Sequence, residues 1–128
     1  MINPRELEIL NILWSSEEPL TSTQISTVGQ GLSQSTIQAV LRKLLKAGLV
    51  EVTGVTYSGN VLSRTYKPTD RSKEAILEHF TNDYSLFNKV ISKDSLLSAL
   101  LRKNEDPKSR AEEIQELKDM LKDFESTL

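Results

Sequence analysis

Apolar positions along the chain recur first with a helical period, then in alternation, then with a helical period again. Leu7, Leu10, Leu13 and Trp14 stand three or four residues apart or adjoin, which gives one apolar face to a helix from about Asn3 to Trp14. Asn3 can cap that helix, and Pro4 at its first position loses no hydrogen bond. Ser15-Ser16-Glu17-Glu18-Pro19 is a polar break. Thr21-Ser22-Thr23-Gln24 has capping-box spacing and opens a short second helix towards Val28, which Gly29 and Gly31 end in a tight turn. Ser33 caps a third helix from about Gln34 to Ala47, with Gly48 just past its end. Ile37, Val40, Leu41, Leu44 and Leu45 form its apolar stripe. Gln34, Ser35, Gln38, Arg42, Lys43 and Lys46 lie mainly off that stripe. The period then changes. Leu49–Val55 and Val61–Lys67 predict two strands joined through Tyr57-Ser58-Gly59-Asn60, a β-hairpin that Pro68 ends.

Beyond Asp70, a candidate cap, the helical rhythm returns. Ala75, Ile76, Phe80, Tyr84, Phe87, Val90 and Ile91 predict a helix over about 72–91, continuous or broken near Asn82. Leu96, Leu97, Leu100 and Leu101 predict a further helix, broken by Asn104-Glu105-Asp106-Pro107. Ser109-Arg110-Ala111-Glu112 reads as a capping box before Ile114, Leu117, Leu121 and Phe124, which alternate in three- and four-residue steps. A tail this apolar has little core of its own, so pairing with a second copy is the economical way to bury it. Phe80, Tyr84, Phe87, Leu96, Leu97, Leu100, Leu101, Ile114, Leu117, Leu121 and Phe124 are the candidate dimerisation residues. Folding back on the N-terminal part as a monomer is the alternative that leucine stripes leave open.

Three helices followed directly by a hairpin, with a basic amphipathic third helix, is the order of a winged helix-turn-helix. The apolar stripe of the third helix rests on the first two, and its polar edge projects outward, narrow enough for a DNA major groove. The expected class is mainly α with a small β-hairpin wing. The expected domains are a winged-helix DNA-binding domain over 1–70 and an α-helical dimerisation domain over 71–128.

Charge supports this division. The 128 residues carry a net charge of -2, but 33–73 hold seven bases against Glu51 and Asp70, a net +5. The flanking 1–32 and 74–128 are net -3 and -4. A basic middle between acidic flanks suits a chain that presents one face to a polyanion. Hydrophobic residues at 38% and charged residues at 27% describe a soluble globular chain. Its lack of a long apolar run or a leader-like start argues against a membrane partner and for a cytoplasmic location. With no cysteine and one histidine, His79, thiolate chemistry, cysteine metal clusters and a histidine triad have no material. No catalytic residue, metal ligand or cofactor is assigned, and an enzyme is not expected. The acid-rich tail around Glu112, Glu116 and Asp119, interleaved with Lys118 and Lys122, reads as a solvated helix face with i,i+4 pairing. Trp14 reads as a core residue between helices, and His79 as an ordinary helix residue.

Three stretches resemble a known family, the penicillinase, methicillin-resistance and copper-transport repressors (the BlaI/MecI/CopY family). They are Glu6-Leu7-Glu8-Ile9-Leu10-Asn11-Ile12-Leu13-Trp14, the run from Ser33 to Leu49, and Arg64-Thr65-Tyr66-Lys67-Pro68. The C-terminal helices match in length and apolar rhythm. The resemblance implies a homodimeric repressor on double-stranded DNA, at an inverted-repeat operator of TACA…TGTA type. Carried over by position, it implies DNA contacts from Ser33, Ser35, Thr36, Gln38 and Lys43, with Arg64 in the wing. Gln38 suits bidentate pairing with adenine, and Thr36 suits a thymine methyl or a phosphate. Arg42, Lys43, Lys46 and Arg64 suit phosphates, which position a protein without reading sequence.

The chain departs from the family's patterns in three places. Gln34-Ser35 stand where relatives often carry Pro-Lys, so one phosphate-binding charge is lost. The paired Cys-x-Cys motifs of the copper-responsive branch are absent. The Asn-Phe bond cut in the β-lactam-responsive branch is missing, and the corresponding stretch reads Ala99-Leu100-Leu101-Arg102-Lys103. The rival reading from another class is a winged-helix adaptor that binds protein and has lost DNA, for which the net negative charge leaves room.

Overall fold

A computed structural model describes residues 2–128. It contains α1 (Pro4–Ser15), α2 (Ser22–Val28), α3 (Gln34–Lys46), β1 (Val50–Ser58), β2 (Val61–Pro68), α4 (Asp70–Phe87), α5 (Lys93–Arg102) and α6 (Pro107–Thr127). The chain forms two compact units, one ending at Asp83 and a second spanning Tyr84–Leu128. The division falls inside α4, thirteen residues past the expected boundary at 70. Packing explains the difference: Ser72 is buried, and Ala75 and Ile76 pack on the N-terminal core.

In the first unit α1, α2 and α3 enclose that core. Asn3 caps α1 and exchanges hydrogen bonds with Glu6; Thr21 does the same for α2 with Gln24. Both boxes satisfy amide groups that a helix start otherwise leaves without partners. Ile9, Leu10, Ile25, Ile37, Leu41 and Leu44 are the most deeply buried apolar side chains. They come from all three helices, so each amphipathic stripe supplies one wall. Two further elements tie the hairpin to this body. Leu20, between α1 and α2, pairs with Tyr66 of β2 through backbone bonds of 3.0 and 2.8 Å. Thr69, just after the hairpin, donates its hydroxyl to the Gly48 carbonyl at 2.7 Å and its amide to that of Leu49 at 3.0 Å.

The exit from α3 aims the hairpin. Gly48 follows the C-cap Ala47 with φ of 75°. Its amide bonds the Leu45 carbonyl, and the Leu49 amide bonds that of Leu44. This doubled pattern closes a helix when the residue past the cap is left-handed, a conformation that costs glycine little. A Cβ at Gly48 would meet only the Arg71 side chain, Nη1 at an ordinary 3.5 Å and Cδ at 3.8 Å. Gly48→Ala is therefore expected to cost about 1–2 kcal/mol through the backbone alone. Chemical denaturation should show a lower midpoint with an unchanged slope.

Three sequence expectations are corrected here. β1 continues three residues past Val55, and the turn shrinks to Gly59-Asn60 between the paired Ser58 and Val61. Gly59 alone takes a positive φ of 65°, as in the two-residue turns that match strand twist. The 72–91 helix ends at Phe87, not near Asn82, and the chain turns before Ser92 caps α5. Finally, α6 begins at Pro107 with Asp106 as its cap, so Ser109 sits inside the first turn. Proline without an N–H fits that first position, and Ser109 instead accepts a hydrogen bond from Asn104 Nδ2 at 3.0 Å.

The second unit holds the end of α4 with α5 and α6. Tyr84 Oη donates to the Ile91 carbonyl at 2.8 Å and holds the turn after α4. Asn104 also donates to Glu113 at 2.6 Å and accepts from the Asp106 amide, which orders the α5–α6 connection. The Ser92 hydroxyl, first, holds the Asp94 carboxyl below its ordinary value. Along α6 Gln115 donates to Asp119 at 3.0 Å, and among the described residues no ion pair forms there in place of the expected lysine pairing. No apolar residue of α5 or α6 is fully buried within this unit.

Candidate nucleic-acid interface

The outward face of α3 is polar and basic because its apolar residues are consumed by the core. Ile37, Val40, Leu41 and Leu44 are buried; Ser35, Gln38, Arg42, Lys43 and Lys46 are exposed. At 100° per residue, Ser35, Ala39, Arg42 and Lys46 succeed one another along the middle of that face. Gln38 flanks them on one side, and Thr36 and Lys43 on the other. Lys43 and Lys46 also stand in the last turn, where cations suit the helix dipole whether or not DNA is present.

The start of α3 is a small network of hydroxyls. Ser33 Oγ accepts from the Thr36 amide at 3.2 Å, donates to Thr36 Oγ1 at 2.8 Å and lies 3.2 Å from Ser35 Oγ. Gln34 Nε2 donates to Ser22 Oγ of α2 at 2.6 Å. The hydroxyls of Ser33, Ser35 and Thr36 thus partner one another, and Gln38 projects beyond them. This network ties α2 to α3, as a recognition helix needs if it is to enter a groove at one angle. Ser22, Gln34 and Ala39 belong to this surface and were not assigned to it from sequence. Ser22 was legible only as a helix start, and Ala39 carries no polar signal.

The hairpin forms the second part of the surface. Arg64 pairs with Val55 across the strands, and Tyr57 with Leu62. Alternation along each strand places all four on one face. Val55, Tyr57, Val61 and Leu62 are each more than half exposed, so the tip of the wing is apolar and free. Nearer the body, Lys67 pairs with Glu51 at 3.1 Å, and the hydroxyls of Thr53 and Thr65 stand 2.8 Å apart beside a register irregularity. Lys67 is thereby partly neutralised, and Arg64 is the available cation of the wing.

The profile of the penicillinase repressor family matches residues 2–123. The chain belongs to that family. It is a DNA-binding transcriptional repressor and not an enzyme. Among solved structures, the repressor is similar to PadR of Bacillus subtilis in complex with operator DNA. The identity is 16%, the match covers 100% of this chain and 80% of that one, and the TM-score is 0.52. The adhesin competence repressor AdcR of Streptococcus pyogenes is 17% identical, over 98% and 80% of the two chains, with a TM-score of 0.49. NMB1585, a MarR family regulator from Neisseria meningitidis, is 19% identical, over 98% and 78%, with a TM-score of 0.47. At this identity the likeness to PadR establishes a shared fold and nothing finer. No curated protein matches the chain significantly.

The candidate dimerisation residues fall in two places. Phe80 lies in the first unit, on α4. Tyr84, Phe87, Leu96, Leu97, Leu100, Leu101, Ile114, Leu117, Leu121 and Phe124 lie in the second. Phe87, Leu100, Leu121 and Phe124 are at least half exposed; Tyr84, Leu101 and Leu117 are half-buried. Trp14 packs against the edge of the core, as its reading between helices expects. It is half-buried, donates Nε1 to Ser72 Oγ at 2.9 Å and carries the Lys73 ammonium 4.8 Å above its ring. His79 faces Asp83 at 3.5 Å and meets the Phe80 ring edge-on. Among the described residues no acid or histidine cluster could hold a metal, and no helix is long and apolar enough to cross a membrane.

Proposed function

We propose that the repressor acts in the cytoplasm as a homodimer on an inverted-repeat operator of TACA…TGTA type, one α3 per half-site. The single observation that carries this reading is the outward face of α3, hydroxyl- and amide-bearing in its first half and basic in its second, while its opposite face is sealed in the core. Ser33, Ser35, Thr36 and Gln38 stand at the end of α3 that meets base edges in winged-helix geometry. Arg42, Lys43, Lys46 and the wing's Arg64 supply phosphate contacts. The apolar faces of the second unit join the two protomers, the role expected of residues 71–128. Half-sites about 34–36 Å apart put both helices in successive major grooves. The PadR structure holds operator DNA on a related fold, which agrees with this reading.

The test is a salt titration of binding to a labelled TACA…TGTA inverted repeat and to a scrambled duplex. Tight, salt-steep binding of two protomers to the repeat, well above the scrambled control, is expected. Equal weak binding to both would remove the operator assignment, and no binding at low salt would favour an adaptor. Two substitutions separate the roles on α3. Lys43→Ala should weaken binding on every sequence and reduce the salt slope by about one. Gln38→Ala should instead relax base choice at one position by about 1–3 kcal/mol. Identical behaviour of the two variants across operator sequences would refute the division into reading and positioning residues.

A further inference from the structure

A groove of about 680 Å³ runs between α1 and α4 within the first unit. Leu7, Trp14, Ile76, Leu77 and Phe80 form its walls, and Glu8, Asn11 and Lys73 are its polar groups. That volume and that lining, mostly apolar with a few polar groups, are those of a small-molecule site. The polar groups discriminate by charge. Lys73 carries the one cation of the groove, held over the Trp14 ring, and no carboxylate of the described residues lies within ion-pair distance of it. Glu8 stands six residues before Trp14 on α1, about 9 Å away along the helix axis. An anionic head is therefore favoured at the Trp14 end and disfavoured towards Glu8, and an apolar tail fits beside the head against Ile76 and Leu77.

The Trp14 wall is wired to the DNA-binding surface. Trp14 Nε1 donates to Ser72 Oγ at 2.9 Å, and Ser72 Oγ donates to the Thr69 carbonyl at 2.6 Å. Thr69 Oγ1 in turn donates to the carbonyl of Gly48, the left-handed residue that joins α3 to the wing. Ser72 is fully buried, so this chain is shielded from water along its centre. We propose that the groove is an effector site for a small lipophilic carboxylate, whose occupancy shifts Trp14 and, through Ser72 and Thr69, the junction of α3 and the wing. Ligand binding weakens operator affinity. Only this consequence rests on the DNA-binding reading above; the site itself does not.

Trp14 is the sole tryptophan, so its fluorescence reports the groove directly. The full-length protein is titrated with phenylbutyrate, and in parallel with phenylbutanol and phenylbutylamine. Saturable change with the acid, at least about tenfold tighter than with the alcohol or the amine, is expected. Leu77→Glu, at a position 65% exposed, should abolish it without loss of helix content. Lys73→Glu should weaken the acid about tenfold or more and reverse the preference towards the amine. Operator binding, measured first without ligand, should fall about fivefold or more in saturating phenylbutyrate, and operator DNA should weaken phenylbutyrate by the same factor. No saturable change, or equal affinity for all three compounds, would overturn the site. Loss of a dimer in Leu77→Glu with ligand binding intact would overturn it too, and assign the groove to a second copy. Binding of phenylbutyrate with no effect on an operator that the free protein binds well would overturn the coupling. An operator that the free protein fails to bind would instead count against the DNA reading alone.

Discussion

Replacing both Leu121 and Phe124 with glutamate is expected to break the proposed dimer into monomers and to cut operator affinity by about 10²–10⁴-fold. Each side chain is more than half exposed in the single chain, at 53% and 63%, so the folded unit does not depend on them. Burying two such side chains against a second copy contributes about 1.5–3 kcal/mol apiece. A carboxylate in their place cannot enter an apolar contact without losing its hydration. Once the protomers separate, the second half-site no longer benefits from the high effective concentration that the first contact creates. Sedimentation should give the monomer mass, circular dichroism should be unchanged, and the affinity for a single half-site should be preserved. A variant that remains dimeric, or a monomer that holds the inverted repeat as tightly as the parent, would refute dimerisation through this face of α6.

Leu44→Ala is expected to cost about 2–5 kcal/mol of folding stability. Leu44 is fully buried on the inner face of α3, and its carbonyl accepts the Leu49 amide that closes the helix. Removing three carbons leaves a cavity under the recognition helix that α1 and α2 cannot fill without moving their own packed residues. A domain of this size is stable by only about 5–15 kcal/mol, so the loss is a large share of the total. Denaturant unfolding of the variant should show this fall, and operator binding near the growth temperature should fall with it. Leu62→Ala, on the exposed wing, is the matched control and should stay within about 0.5 kcal/mol. Equal losses at both positions would mean that the core is not where the structure places it.

The elements of the first unit were legible because their signals are local. Asn3, Thr21 and Ser33 announce helix starts through their own hydrogen bonds to the next turn, and Gly48 ends α3 through its own dihedral. The stripe of Ile37, Val40, Leu41 and Leu44 separates the inner face of α3 from the outer one by period alone. Boundaries without such a device were misplaced. β1 ran on to Ser58 because strand pairing, which is not local, sets where a hairpin turns. At α6 two adjacent starts competed, and Asp106-Pro107 prevailed over Ser109 because proline has no amide to leave unpaired.

Local signals along the chain set which faces of the helices are apolar, the order of three helices and a hairpin, and the basic character of the middle of the chain. Periodicity and caps act over one or two turns, and charge is additive along a sequence. What depends on residues far apart emerges in the folded chain alone. Trp14, packed against the core, meets Ser72 across 58 positions and also becomes the wall of a groove. Leu20 pairs with Tyr66, and Thr69 returns to Gly48, which holds the wing against the body. The start of α4 thereby joins the N-terminal unit, although nothing between Asp70 and Asp83 distinguishes it from the rest of that helix. The reason is physical: a buried hydrogen bond or a packed side chain is satisfied by whatever the fold brings near, and sequence separation does not enter its energy.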